Sequence, residues 1–332
     1  MAFTTKATIA SFGGKLLKLS HASAATGTDM AVSVYLPPQA ASGGRKVPVL
    51  VYLSGLTCSP DNCAEKGFFQ HGAARHGLAV VYPDTSPRGL DLPGIRDSWD
   101  FGEAASFYVD AARAPFADNF RMETYLTEDL PAALAAGFPD ELDLSRVAIT
   151  GHSMGGHGAL SLYLRHPGRY RSVSAFAPIA NPSRCPWGEK AFAGYLGDDR
   201  EAWKAHDSTE LVRGWEGDLR MLIDVVSCPL ALCLLGGWRD EADGGTAQGT
   251  GDNFYKQGQL LPENFEKAVK DAGLSGLTLR YQEVGSPRPT SLFDTERQGR
   301  RADRFQGYDH SYFFMATFSD DHVAHAAKHL AE

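Results

Sequence analysis

Cysteine is scarce in this chain and positive charge is in deficit, and each shortage narrows what the protein can be. The five cysteines among 332 residues are an odd number, and Cys58/Cys63 and Cys228/Cys233 each stand five apart. That spacing fits no zinc pattern, so free thiols in a reducing compartment are expected, with no metal. Long apolar runs are missing too. The longest, Pro229 to Leu235, falls far short of the ~20 residues a membrane helix requires. The stretch Met1 to Ala10 has one lysine and no apolar segment long enough for a secretory signal. A cytoplasmic location without a membrane partner is therefore expected. Lysine and arginine number 32 against 40 acidic residues, giving a formal net charge of -8 and a pI near 5.8. A mildly acidic surface repels phosphate backbones, which argues against a nucleic-acid partner.

What is present is enough apolar material, 43% of the chain, for a sizeable core. Strand patterns fall at Lys15–Leu19, Met30–Leu36 and Val47–Leu53, the last a continuous run of the kind buried on both faces. A helix is expected over Asn62–His76, a strand over Leu78–Tyr82 and a helix over Tyr125–Ala135. Strand Arg146–Thr150, helix Met154–His166 and strand Ser172–Ala177 follow, then strand Leu219–Asp224, helix Pro262–Ala272, strand Leu277–Gln282 and a final helix Asp321–Leu330. This alternation predicts an α/β fold, a mostly parallel sheet with helices on both faces. No repeat or linker divides it, so residues 1–332 read as one domain.

Gly151-His152-Ser153-Met154-Gly155 lies between a predicted buried strand and a predicted amphipathic helix. A serine raised on a sharp strand-to-helix turn needs small residues two before and two after it, because a Cβ there would clash. The turn presents the hydroxyl as a nucleophile. It also aims the Met154 amide, with the helix N-terminus behind it, at the place where an oxyanion would form. In the α/β-hydrolase fold the acid and then the histidine follow the serine in the chain. His310, in Gly307-Tyr308-Asp309-His310-Ser311-Tyr312 after the last predicted strand, stands where a general base is expected. His322, His325 and His329 share one helical face, which reads as solvated rather than as a metal site. Spacing alone leaves the acid open among Asp224, Asp240, Asp243 and Asp252.

Longer motifs resemble one family, the S-formylglutathione hydrolases (esterase D) of the α/β-hydrolase fold, over nearly the whole chain. They include Ser54-Gly55-Leu56-Thr57-Cys58, Tyr82-Pro83-Asp84-Thr85-Ser86-Pro87-Arg88-Gly89, Ser98-Trp99-Asp100-Phe101-Gly102 and Gly151 to Ala159. Phe176-Ala177-Pro178-Ile179, Pro186-Trp187-Gly188, Gln259 to Phe265 and Gly307 to Tyr312 continue the likeness. The resemblance implies hydrolysis of S-formylglutathione to formate and glutathione in formaldehyde detoxification, through a Ser153–His310–Asp252 acyl-enzyme mechanism without a cofactor. Asp252 is chosen because the family's acid precedes an amide and a phenylalanine, as Asp252 precedes Asn253-Phe254. The resemblance also implies a second oxyanion amide at Leu56, a cysteine near the site at Cys58, an acyl-pocket tryptophan at Trp187 and a homodimer.

The chain departs from the family pattern twice, by irregular inserts at 225–248 and 284–306. Each insert opens with valine and closes with glutamine. Those residues match an intron read in frame from GT to CAG, and a pair of genuine lineage-specific loops is the alternative. The second insert, with Ser286-Pro287-Arg288-Pro289 and a basic stretch Arg297–Arg304, has no apolar period. Loop closure costs only about 0.6 kcal/mol per doubling of length, so the sheet is expected to survive both inserts. Triad geometry is the stricter demand. The alternatives are a general carboxylesterase or acyltransferase of the same fold, which relative rates on aryl acetates would reveal, and an inactive hydrolase-fold isoform.

Overall fold

The computed structural model describes residues 2–41, 45–227, 251–283 and 308–332. Their strands are β1 (Thr4–Ser11), β2 (Gly14–Ala22), β3 (Asp29–Leu36), β4 (Val47–Leu53), β5 (Ala79–Pro83), β6 (Leu142–His152), β7 (Val173–Phe176), β8 (Met221–Ser227) and β9 (Leu277–Glu283). They form one sheet in the order β1-β2-β3-β5-β4-β6-β7-β8-β9. Pairing is antiparallel from β1 to β5 and parallel from β5 to β9. The parallel strands β5 and β7 are buried throughout, as expected where helices cover both faces.

Helices α1 (Pro60–Lys66) and α2 (Phe69–His76) carry the chain from β4 to β5. Helix α3 (Leu130–Gly137) precedes β6, and α4 (Met154–Arg165) leads from β6 to β7. Then follow α5 (Pro186–Tyr195), α6 (Pro262–Asp271) and α7 (Tyr312–Leu330). On one face α7 packs on α2, and Phe176 of β7 turns its ring to Phe69, Phe314 and His322 from those two helices. Helix α4 packs on β6 and β7. The chain leaves β4 toward β5 and leaves β6 toward β7, although β4 and β6 are neighbours. Their C-terminal loops therefore diverge and open a crevice, which is where open α/β sheets bind ligands.

Five expectations need correction. The predicted helix Asn62–His76 is two helices, because Gly67 lies so close to Cys63 that a Cβ would sit 2.5 Å from its Sγ, and Phe68 turns left-handed at φ 59°. That turn sends Phe69 into the core. Helix α4 is not amphipathic: Met154 through Leu164 are all buried, between the sheet and an outer layer that includes Phe107, Phe192 and Trp215. The last helix begins at Tyr312, capped by the Ser311 hydroxyl, rather than at Asp321. The histidine face is packed rather than solvated. His322 is fully buried, His325 Nε2 lies 3.3 Å from the Arg220 carbonyl, and no metal-binding group of side chains occurs among the described residues. Finally, the irregular segment expected from Val225 opens in strand: Val225–Ser227 continue β8, paired with Tyr281–Glu283, and Val225 and Val226 are buried. The remainder of the first segment up to 248, and all of 284–306, lie outside the described residues, as do Cys228, Cys233, Asp240 and Asp243. Cys58, Cys63 and Cys185 are free thiols.

Candidate active site

The elbow between β6 and α4 is built by backbone contact. A Cβ on Gly151 would lie 2.2 Å from the Gly155 carbonyl oxygen, and one on Gly155 would lie 2.0 Å from that of Leu53 in β4. Only glycine permits that approach. Ser153 is held at φ 57° and ψ -117°, a region non-glycine residues rarely adopt, and its amide donates to the Phe176 carbonyl at 2.9 Å. Strain of this kind persists only where the surroundings enforce it.

The loop after β4 lies against this elbow. A Cβ on Gly55 would be 3.3 Å from that of Ser153. The Tyr108 hydroxyl donates to the Ser54 carbonyl at 2.7 Å, the Thr57 amide to Ala104 at 3.0 Å and the Cys58 amide to Gly55 at 3.3 Å. The Leu56 and Met154 amides donate to no partner among the described residues.

Asp252 and His310 come together. The His310 Nδ1 lies 2.5 Å from Asp252 Oδ2, while Asp252 Oδ1 accepts the amides of Phe254 and Tyr255 at 2.8 and 3.2 Å. Asp252 thus caps the short helix Asn253–Lys256 with one oxygen and holds the imidazole with the other. The His310 ring sits between Phe254, edge-on at 4.8 Å, and His152, at 4.5 Å, the residue before Ser153. His310 Nε2 is buried without a hydrogen-bond partner among the described residues, and Ser153 Oγ is not hydrogen-bonded to it. Such contacts commonly tighten only when substrate binds. The segments flanking 228–250 and 284–307 therefore bring acid and histidine into contact, so the described geometry does not show the loosening expected from the inserts.

The other candidates fall nearby. Trp187 is buried, edge-on to Trp99 at 5.5 Å and tilted on Phe254 at 4.7 Å, so one aromatic row runs from His310 to the half-exposed Trp99. Cys58 Sγ lies 3.7 Å from the Tyr312 hydroxyl, and burial pushes its thiol up. His152 has neither ring nitrogen hydrogen-bonded, and burial, with His310 beside it, holds it well below the ordinary histidine range. Sequence reasoning gave His152 and Phe254 no part in the site. The pentapeptide and the Asp-Asn-Phe run named their positions, but nothing in the spacing showed both rings against one imidazole. Asp224, one of the alternatives for the acid, does not touch His310; it pairs with Arg280 and His322.

Known proteins resemble this chain over most of its length. Residues 23–227 match a family described as putative esterase. Mouse S-formylglutathione hydrolase is 45% identical over 320 residues, covering 96% of this chain and 95% of the mouse protein. The chain belongs to the S-formylglutathione hydrolase family. A member from Paracoccus denitrificans (strain Pd 1222) is 44% identical over 332 residues, covering 99% of both chains. The solved S-formylglutathione hydrolase of Agrobacterium tumefaciens superposes with a TM-score of 0.80 at 37% identity, covering 98% of this chain and 99% of that one. As a member of this family the protein is a serine hydrolase of the α/β-hydrolase fold. No helix among the described residues is long and apolar enough to cross a membrane.

Proposed function

We propose that this enzyme hydrolyses S-formylglutathione to formate and glutathione in formaldehyde detoxification, with Ser153 as nucleophile, His310 as general base and Asp252 as the acid that orients it. The observation that carries the proposal is the Asp252–His310 contact beside the strained serine. A carboxylate on Nδ1 holds the proton there, leaving Nε2 free to take the Ser153 proton as Oγ attacks the thioester carbonyl. The Leu56 and Met154 amides, which meet no competing acceptor among the described residues, receive the oxyanion. The C–S bond breaks and glutathione departs as a thiolate, so the proton on His310 is not required for the leaving group and returns with it or to solvent. His310 then takes a proton from water, the hydroxide adds to the formyl-serine, and Ser153 Oγ leaves with that proton. Trp187 and Phe254 bound the acyl side, and Cys58 stands by the oxyanion loop as a neutral thiol.

A strained serine beside an Asp–His pair favours acyl transfer over a binding role. The free thiols Cys58, Cys63 and Cys185 support a reducing, cytoplasmic setting, and the family likeness supports a homodimer. The test is purified Ser153→Ala assayed on S-formylglutathione and on an aryl acetate. Loss of about 10⁴-fold or more in kcat with an unchanged unfolding midpoint is expected. A tenth of wild-type activity in the pure variant would remove Ser153 from the mechanism, and faster wild-type turnover of the aryl acetate would make the enzyme a general carboxylesterase.

A further inference from the structure

Behind the triad lies a second carboxylate–histidine pair that the proposed chemistry does not use. Asp224 is fully buried at the middle of β8. Its oxygens receive Arg280 Nε at 2.6 Å, Arg280 Nη2, and Gln282 Nε2 at 3.2 Å, and His322 Nε2 lies 3.1 Å from Oδ2. Arg280 is the direct register partner of Asp224 on β9, and its Nη1 reaches Asp321 Oδ2 of α7 at 2.9 Å. One guanidinium therefore fastens two strands and a helix together. Burial pushes the Asp224 carboxyl up, but His322 and Arg280 outweigh it and bring it down to about 2, so Asp224 and Arg280 form an ion pair at neutral pH, while burial lowers His322 and leaves its ring a neutral donor.

The cluster connects to both sides of the proposed triad. The His322 ring stacks on Phe176, with centroids 3.6 Å apart and planes at 17°. The Phe176 carbonyl is the acceptor of the Ser153 amide, and the next amide, Ala177, donates to the Asp224 carbonyl at 2.7 Å. On the other side, α7 begins two residues after His310. A buried ion cluster is a weak source of stability compared with apolar side chains of the same volume, and in some proteins its use is to specify one arrangement. Here the geometry it fixes is that of the helix entering from His310 relative to the strand end that holds Ser153.

We infer that Asp224, Arg280 and His322 are positioning residues that set His310 against Ser153 through helix α7. This rests on the roles proposed for Ser153, Asp252 and His310. The pair does not exchange protons with substrate; it acts through the seating of α7.

The test uses the full chain carrying His322→Phe, which keeps the ring stack on Phe176 and removes the bond to Asp224. His322→Gln restores a donor near the place of Nε2. Displacement of a catalytic group by about 1 Å can cost roughly 10²-fold in rate. The expected result is a kcat about 10²-fold lower for His322→Phe with KM within about threefold. A fluorophosphonate probe should still label every Ser153, but more slowly by a similar factor, and His322→Gln should recover most of the loss. A merely structural role would instead reduce the number of labelled serines and leave the rate of each intact, and that result overturns the inference. So does a folded His322→Phe with wild-type kcat. Should that variant fail to fold, Arg280→Lys keeps the charge, removes the fork, and carries the same two expectations. If wild-type protein is labelled but does not turn over S-formylglutathione, the substrate proposal fails and the labelling rates still decide this one. If wild-type Ser153 is not labelled, both fall.

Discussion

Replacing Asp252 by asparagine exchanges one oxygen for nitrogen and should stop turnover without unfolding the protein. The side chain has two distinct duties: Oδ1 accepts the Phe254 and Tyr255 amides at 2.8 and 3.2 Å, and Oδ2 faces His310 Nδ1 at 2.5 Å. An asparagine keeps both helix-capping bonds only with its oxygen in the Oδ1 place, which turns its NH2 toward His310. Nδ1 must then accept, the imidazole proton moves to Nε2, and no base remains for Ser153. Flipping the amide would repair the imidazole but leave two backbone donors facing an NH2. At about 1–3 kcal/mol for each unsatisfied donor, the flip costs roughly 2–6 kcal/mol. The wrong tautomer therefore prevails, and kcat should fall about 10⁴-fold, equivalent to about 5 kcal/mol in the barrier. The assay is thioester loss on S-formylglutathione under saturating substrate, with thermal unfolding measured alongside. Asp224→Asn in parallel should cost less, about 10²-fold in kcat, since it acts through the seating of α7 and not on the imidazole tautomer. A kcat for Asp252→Asn above about 1% of wild type, or a worse defect in Asp224→Asn, would refute the assignment.

Alkylation of Cys58 should slow the enzyme, because an adduct beside the Gly55–Leu56 loop crowds the acyl site, and Cys58→Ser should be active and resistant. Burial raises this thiol, so the modification should accelerate as pH rises, and equal sensitivity in Cys58→Ser would point to another cysteine. Burial also brings His157 down to about 3 and His206 and His325 to about 4. These folded values lie below the ordinary ~6.5, so the unfolded chain takes up the protons first; stability is full above that value and is lost as pH falls toward 4. Each group adds up to about 1.4 kcal/mol per pH unit in that window, and equal urea midpoints at pH 7 and pH 5 would contradict it. Removing residues 228–247 with 284–306 should leave kcat/KM at least as high as in the full chain. Starting the first deletion at Val225 instead takes the buried Val225 and Val226 from β8 and should cost roughly 2–5 kcal/mol of stability, readable by denaturant titration.

The parts of this site that are local were legible in the sequence. The elbow could be read because Gly151, Ser153 and Gly155 are required within one turn, and their reason is the backbone contact with Leu53. Strand Val47–Leu53 was legible because burial on both faces leaves an uninterrupted apolar run. The acid was not fixed by spacing, since Asp224 lies in β8 and Asp252 beyond it, and only their partners, Arg280 and His322 against His310, tell them apart. Strand β1 escaped notice because it is exposed on both faces and carries no apolar alternation. The first turns of helix α7 are not legible because Tyr312, Phe313 and Phe314 show no helical period, although Phe314 is buried against Phe176. His322 looked solvated because helical periodicity names a face without saying what that face meets.

The contact of Gly155 with the Leu53 carbonyl has a further consequence for how such an enzyme can change. The two amides that would receive the oxyanion belong to backbone segments touching one another, so neither can shift without rupturing the other. Directed evolution toward bulkier acyl groups therefore has little to gain by randomising Gly151 or Gly155, where a Cβ would lie 2.2 or 2.0 Å from a backbone carbonyl oxygen. Variation has room along the aromatic row instead, at Trp99, Trp187 and Phe254, where side chains rather than backbone meet. A library confined to those three positions should keep most of its members folded while altering which acyl groups they accept.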